Sequence, residues 1–87
     1  MMKIKEGFIV KEIAGKNVVV TTGDEALNFN MIMHLNDSAK LLFEKLKQGS
    51  SEEELVELLM DHYDVGLEVA TRDVKGFIQV LIDKNII

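Results

Sequence analysis

Few side chains in this sequence could do chemistry. Ser38, Ser50 and Ser51 lie where the residue pattern starts helices. A nucleophilic serine needs a nearby base held by a third group, whereas a helix cap needs only its own oxygen and an amide two or three residues further on. Capping is the simpler reading for all three. His34 and His62 fall on different elements, and with no cysteine in the chain no third nitrogen or sulfur ligand joins them, so no metal site is expected. Glu53 and Glu57, and Glu57 and Asp61, stand four residues apart and share a helix face. Such pairs could hold a hard cation or share a proton, but no EF-hand-like loop accompanies them, and a solvated acidic face explains them. No phosphate-cradling glycine loop follows a strand. The expectation is a protein with no catalytic residue, no metal and no cofactor.

The elements hold more information than the reactive groups. In "NFNMIMHLN", residues 28–36, Phe29, Met31, Met33 and Leu35 alternate onto one side of an extended chain, and Asn28, Asn30, Ile32 and His34 onto the other. The first set is expected to face the core. Ile32 is then out of place on an open face. The two methionines are read as core filling, with adaptable packing against a peptide as the alternative. Earlier, Phe8 to Ile13 and Val18 to Thr22 are β-rich runs joined through "AGKN", where Gly15 and Asn17 tolerate positive φ, so they read as a hairpin.

From Asn36 the period changes from 2 to 3.6. Ala39, Leu42, Phe43 and Leu46 make the buried stripe of a first helix, with Asn36, Asp37 or Ser38 as its cap and Gly49 past its end. Ser51 and Glu54 form a capping box for a second helix whose stripe is Leu55, Leu58, Leu59 and Tyr63. After Gly66 a third helix, Leu67 to Asn85, buries Ala70, Val74, Phe77, Ile78 and Leu81. Beside that stripe lie Val69, Asp73, Gly76 and Val80, mostly small or apolar. A glycine inside a helix costs about 1 kcal/mol relative to alanine. Either Gly76 allows close packing of the helix against the sheet, or it floors a groove.

Eighty-seven residues suffice for one small domain, 1–87, with one core. The longest apolar runs are too short to span a membrane, and "MMKIKEGFIV" lacks the apolar segment of a signal peptide, so a cytoplasmic protein is expected. The formal charge is −5, and Ser51 to Asp64 carry Glu52, Glu53, Glu54, Glu57, Asp61 and Asp64 with no Lys or Arg. Nucleic-acid affinity comes largely from cations on phosphates, so this surface disfavours DNA and RNA.

The order and spacing of "IVKEIAGKNVVV", "GDEALNFN", a strand ending in "LN", "AKLLFEKL", "SSEEELVELLMDHYDV" and "LIDKNII" resemble the PqqD-like family, named for the D protein of pyrroloquinoline quinone (PQQ) biosynthesis. The resemblance implies an α+β, winged-helix-like fold, a three-stranded antiparallel sheet followed by three helices. It implies a recognition module that binds the leader of a ribosomally made precursor peptide and delivers it to a modifying enzyme, often a radical SAM protein. In that family the leader adds as a fourth strand to the third strand and lies against the third helix. By position, the peptide-binding residues here are Asn30, Met31, Ile32, Met33, His34, Val69, Asp73, Gly76 and Val80. Met31 stands where the family often has glycine, and Phe43 where it often has tryptophan.

Strand addition is reasonable on physical grounds, because an edge strand offers unpaired N–H and C=O groups to any extended peptide. The leading expectation is a non-catalytic leader-binding protein, monomeric or weakly homodimeric. The alternatives are an adaptor that dimerises through the same edge and a winged-helix nucleic-acid binder, which the acidic charge opposes.

Overall fold

The computed structural model describes residues 1–21 and 31–87. Its elements run β1 Phe8–Ile13, β2 Lys16–Thr21, β3 Met31–Leu35, α1 Asp37–Gln48, α2 Glu52–His62 and α3 Leu67–Asp83. β1 and β2 pair antiparallel with Ile13 opposite Lys16. The hairpin therefore turns on two residues, Ala14 and Gly15, both at positive φ (53° and 79°). Positive φ at both central positions matches the right-handed twist of the flanking strands. Asn17, expected in the turn, belongs to β2 instead.

β3 pairs antiparallel with β2 in a sheet ordered β1-β2-β3. Leu35, His34 and Met33 face Asn17, Val18 and Val19 in register, but Val20 faces Met31. Ile32 is thus the additional residue of a β-bulge, which bends a strand and interrupts its alternation. This corrects the face expected for Ile32, while Met33 and Leu35 meet the core as expected, and Asn28, Phe29 and Asn30 lie outside the described residues. Ile32 is half-buried and packs on the core together with Met33, where strict alternation would put them on opposite sides.

Asn36 turns β3 directly into α1. Its side chain accepts hydrogen bonds from the Ala39 N–H at 2.8 Å and the Ser38 hydroxyl at 3.0 Å, and Asp37 suits the positive helix start. Gly49, at φ 98°, ends the helix. α2 opens on the capping box, with the Glu54 N–H donating to Ser51 Oγ at 3.2 Å and the Ser51 N–H to Glu54 Oε1 at 3.1 Å. The Ser51 N–H foremost, and the Ser51 side chain after it, hold the Glu54 carboxyl below its ordinary pKa.

Of the three serines only Ser51 caps a helix. Ser38 lies inside the first turn of α1, and Ser50 is fully buried with its backbone bridged to Met2 and its hydroxyl donating to the Ser51 carbonyl at 2.9 Å.

The helices close over one face of the sheet. Leu42, Phe43 and Leu46 of α1, Leu55, Val56 and Leu59 of α2, and Ala70, Val74, Ile78 and Leu81 of α3 meet Val19 and Leu35 in one core. Val56 is buried beside Leu55 and Leu59, whereas Tyr63, expected in the stripe, leaves the helix in an extended conformation and is exposed. Leu58 and Phe77 are half-buried. Both chain ends complete this core: Ile4 and Ile86 are buried, and the Lys5 N–H donates to the Ile86 carbonyl at 2.9 Å. Fully burying an apolar side chain of this size contributes about 1.5–3 kcal/mol. The result is an α+β, winged-helix-like arrangement of a three-stranded antiparallel sheet followed by three helices. Among the described residues no helix is long and apolar enough to cross a membrane.

Candidate functional site

β3 is an edge strand, because β2 occupies one side of it and no described strand pairs with the other. Beyond its end, Asn36 begins a groove between the first turn of α1, the end of α2 and one flank of α3.

The groove is made of two adjoining hollows. The first, about 290 Å³, has Asn36, Asp37 and Ser38 on one wall and Asp73 on the other. Leu59, Tyr63 and Val65 supply its apolar surface. The second, about 380 Å³, shares Asn36, Ser38, Leu59 and Asp73. It extends along α3 past Gly76 and Phe77, with Ala39 and Leu42 opposite and Arg72 at its rim. The glycine decides the shape there. A Cβ built on Gly76 would meet nothing within 4 Å, so close packing does not require this glycine. Of the two explanations for Gly76, the groove floor is the one that fits.

Charge is unevenly distributed around the groove. Asp37 receives a long hydrogen bond, 3.4 Å, from the Asn17 amide. Asp73 lies 3.8 Å from the Arg72 Nε in an ion pair whose partners are both largely in solvent. An exposed pair of this kind contributes about 0–1 kcal/mol.

The expected site residues divide into groups. Asp73 and Gly76 line the groove together. Val69 and Val80 lie on the same α3 flank, each more than a third exposed, but line neither hollow. Met33 and Ile32 support the strand from the core side, and His34 is exposed beside a shallow hollow with Gly15, Lys16 and Asn17. Met31 takes part through its backbone, opposite Val20, and Asn30 lies outside the described residues.

Sequence reasoning missed the α1 and α2 walls. Asn36 and Ser38 were legible only as cap residues, and Tyr63 as part of a buried stripe. Nothing in periodicity shows that a cap also borders a groove. Among the described residues no group of three His, Cys, Asp or Glu side chains is placed to hold a metal.

Two solved structures share this architecture. One is described as TbiB1 in complex with the TbiA(beta) leader peptide: TM-score 0.75, 21% identity, covering 98% of this chain and 93% of that one. Another is lasso peptide synthetase B1 complexed with the leader peptide: TM-score 0.71, 21% identity, covering 93% and 89%. No curated protein matches the chain. The pattern of the family described as "Coenzyme PQQ synthesis protein D (PqqD)" matches residues 8–87, which takes in the whole sheet, all three helices and the groove. The chain belongs to the PqqD family.

Proposed function

We propose that this protein is a non-catalytic peptide-binding module that takes up the leader of a ribosomally made precursor peptide and presents it to a modifying enzyme. The observation that carries this reading is the edge of β3 that no described strand pairs, running into a groove whose α3 side lacks a side chain at Gly76. The leader would add antiparallel or parallel to β3 through backbone bonds from Asn30, Met31, Ile32, Met33 and His34. Each such bond contributes about 0.5–1.5 kcal/mol net. Backbone bonds cannot distinguish sequences, so side chains reaching the groove and the flank of Val69, Asp73, Gly76 and Val80 would supply specificity.

Family membership supports a pathway like that of PQQ, with a radical SAM protein as the recipient enzyme. Both similar structures were solved with leader peptides, which supports the class of ligand. The expected location is the cytoplasm.

Titrating the isotope-labelled protein with the leader encoded beside its gene tests the proposal by NMR. Shifts should concentrate on Met31–His34 and on Val69–Val80. Shifts confined to α2 would refute strand addition. Sedimentation at high concentration, in the absence of peptide, separates this reading from dimerisation through the same edge, since a leader-binding edge that stays free leaves the protein monomeric.

A further inference from the structure

Resting on the peptide-binding reading, we infer that the first hollow of the groove is a subsite for a cationic side chain of the bound peptide, and for arginine ahead of lysine. The hollow combines three features that an apolar anchor would not use together. Leu59 and Val65 give an apolar surface on which the methylene stem of a long side chain can lie. Tyr63, exposed at the end of α2, gives an aromatic ring at the same wall, and a planar guanidinium stacks on such rings. Asp37 and Asp73 give two carboxylates, with no Lys or Arg among the described residues that line this hollow.

Two nearby groups oppose a cation, and neither prevails. The positive start of α1 borders the hollow, but Asn36 Oδ1 already accepts from the Ala39 N–H, and Asp37 lies in that first turn. Arg72 competes for Asp73, but its Nε stands 3.8 Å from the carboxylate with both side chains exposed, and it lines the second hollow rather than the first. An incoming guanidinium would replace a weak, exposed ion pair with one backed by an apolar wall. A carboxylate in the same place would face two like charges. The hollow therefore discriminates by sign as well as by size.

Selection from a displayed library of random twelve-residue peptides tests the subsite without knowledge of the natural leader. Three baits are used: the wild-type protein, Asp73→Asn and Asp73→Lys. Asp73 is exposed, so these variants should keep the wild-type melting curve. The wild type should enrich peptides with Arg at a fixed spacing from apolar residues. Asp73→Asn should bind a selected Arg peptide roughly 5- to 10-fold more weakly, an effect that shrinks in high salt. It should bind the same peptide carrying Met in place of Arg unchanged. Asp73→Lys should lose the Arg preference and favour Glu there. An apolar consensus with no cationic position, or an Arg preference untouched by either substitution, overturns the subsite and leaves strand addition standing. No enrichment on the wild type overturns the peptide-binding reading and the subsite with it.

Discussion

Two hollows of similar size lie on opposite flanks of the buried stripe of α3, and the proposed peptide site takes in only one of them. The hollow of about 290 Å³ toward α1 adjoins the groove past Gly76 and the end of an edge strand. The other, about 260 Å³, lies between α2 and α3, lined by Val56, Met60, Leu67 and Thr71 and rimmed by Glu52, Glu53 and Glu57. It is the more apolar in its exposed residues, with Met60 and Leu67 both in solvent. Yet both of its walls are helices, whose backbone groups are already bonded internally. An extended peptide laid there would lose water from its own N–H and C=O groups without replacing those bonds. On the proposed reading apolar surface alone does not make a peptide site; it also needs a strand edge beside it that no described strand pairs.

The largest expected effect comes from removing that edge. Proline at a β3 position whose N–H points outward should abolish peptide binding while leaving the melting temperature nearly unchanged, because no internal ladder bond is lost. At a position whose N–H bonds β2, proline should instead lower stability by roughly 1–3 kcal/mol or more, because a ladder bond is lost and its acceptor is left unsatisfied. Scanning Met31, Ile32, Met33 and His34 by calorimetry and thermal melts separates the two sets. Because Ile32 is a bulge residue, the sets need not alternate strictly. Equal damage at all four positions would contradict an edge strand.

Filling the groove is the next largest change. Gly76→Phe should preserve the fold, since open space lies beside that position, and weaken leader binding roughly tenfold or more, equivalent to about 1.4 kcal/mol. Thr71→Phe on the opposite flank should leave binding unchanged. Gly76→Ala sharpens the point: it should stabilise the protein by up to about 1 kcal/mol in denaturant melts through helix propensity. A destabilised Gly76→Ala variant would restore the close-packing explanation. Asn36→Ala, at the shared border of both hollows, should cost about 1 kcal/mol through loss of the α1 cap.

The smallest effect is electrostatic and belongs to α2. The folded-state pKa of Glu54 lies below its ordinary value of 4.5, so its stabilising contribution is present above that value and is lost as pH falls through the folded pKa. Glu54→Gln should flatten the acid limb of the melting temperature against pH, with no change in peptide binding at neutral pH.

Much of this fold was legible because its punctuation is local. Asn36 marks the switch from period 2 to period 3.6, and Ser51 with Glu54 marks the next helix start, so both helices begin where their caps stand. The features that escaped are non-local. The bulge at Ile32 adds one residue to β3 relative to β2, and only pairing between strands reveals it. Tyr63 fits the helical period, but the helix ends one residue before it. Ile4 and Ile86 complete the core through contacts between chain ends that no window of sequence contains. For the site, the α3 flank was visible as an odd glycine among small residues, whereas the facing wall depends on how α1 and α2 pack.

Amide hydrogen exchange across β3 tests the central claim most directly. With saturating leader peptide, the outward N–H groups among Met31, Ile32, Met33 and His34 should become protected from exchange, while the amides of Glu52–Met60 keep their rates. A peptide that binds tightly yet leaves every β3 amide exchanging as in the free protein would contradict strand addition.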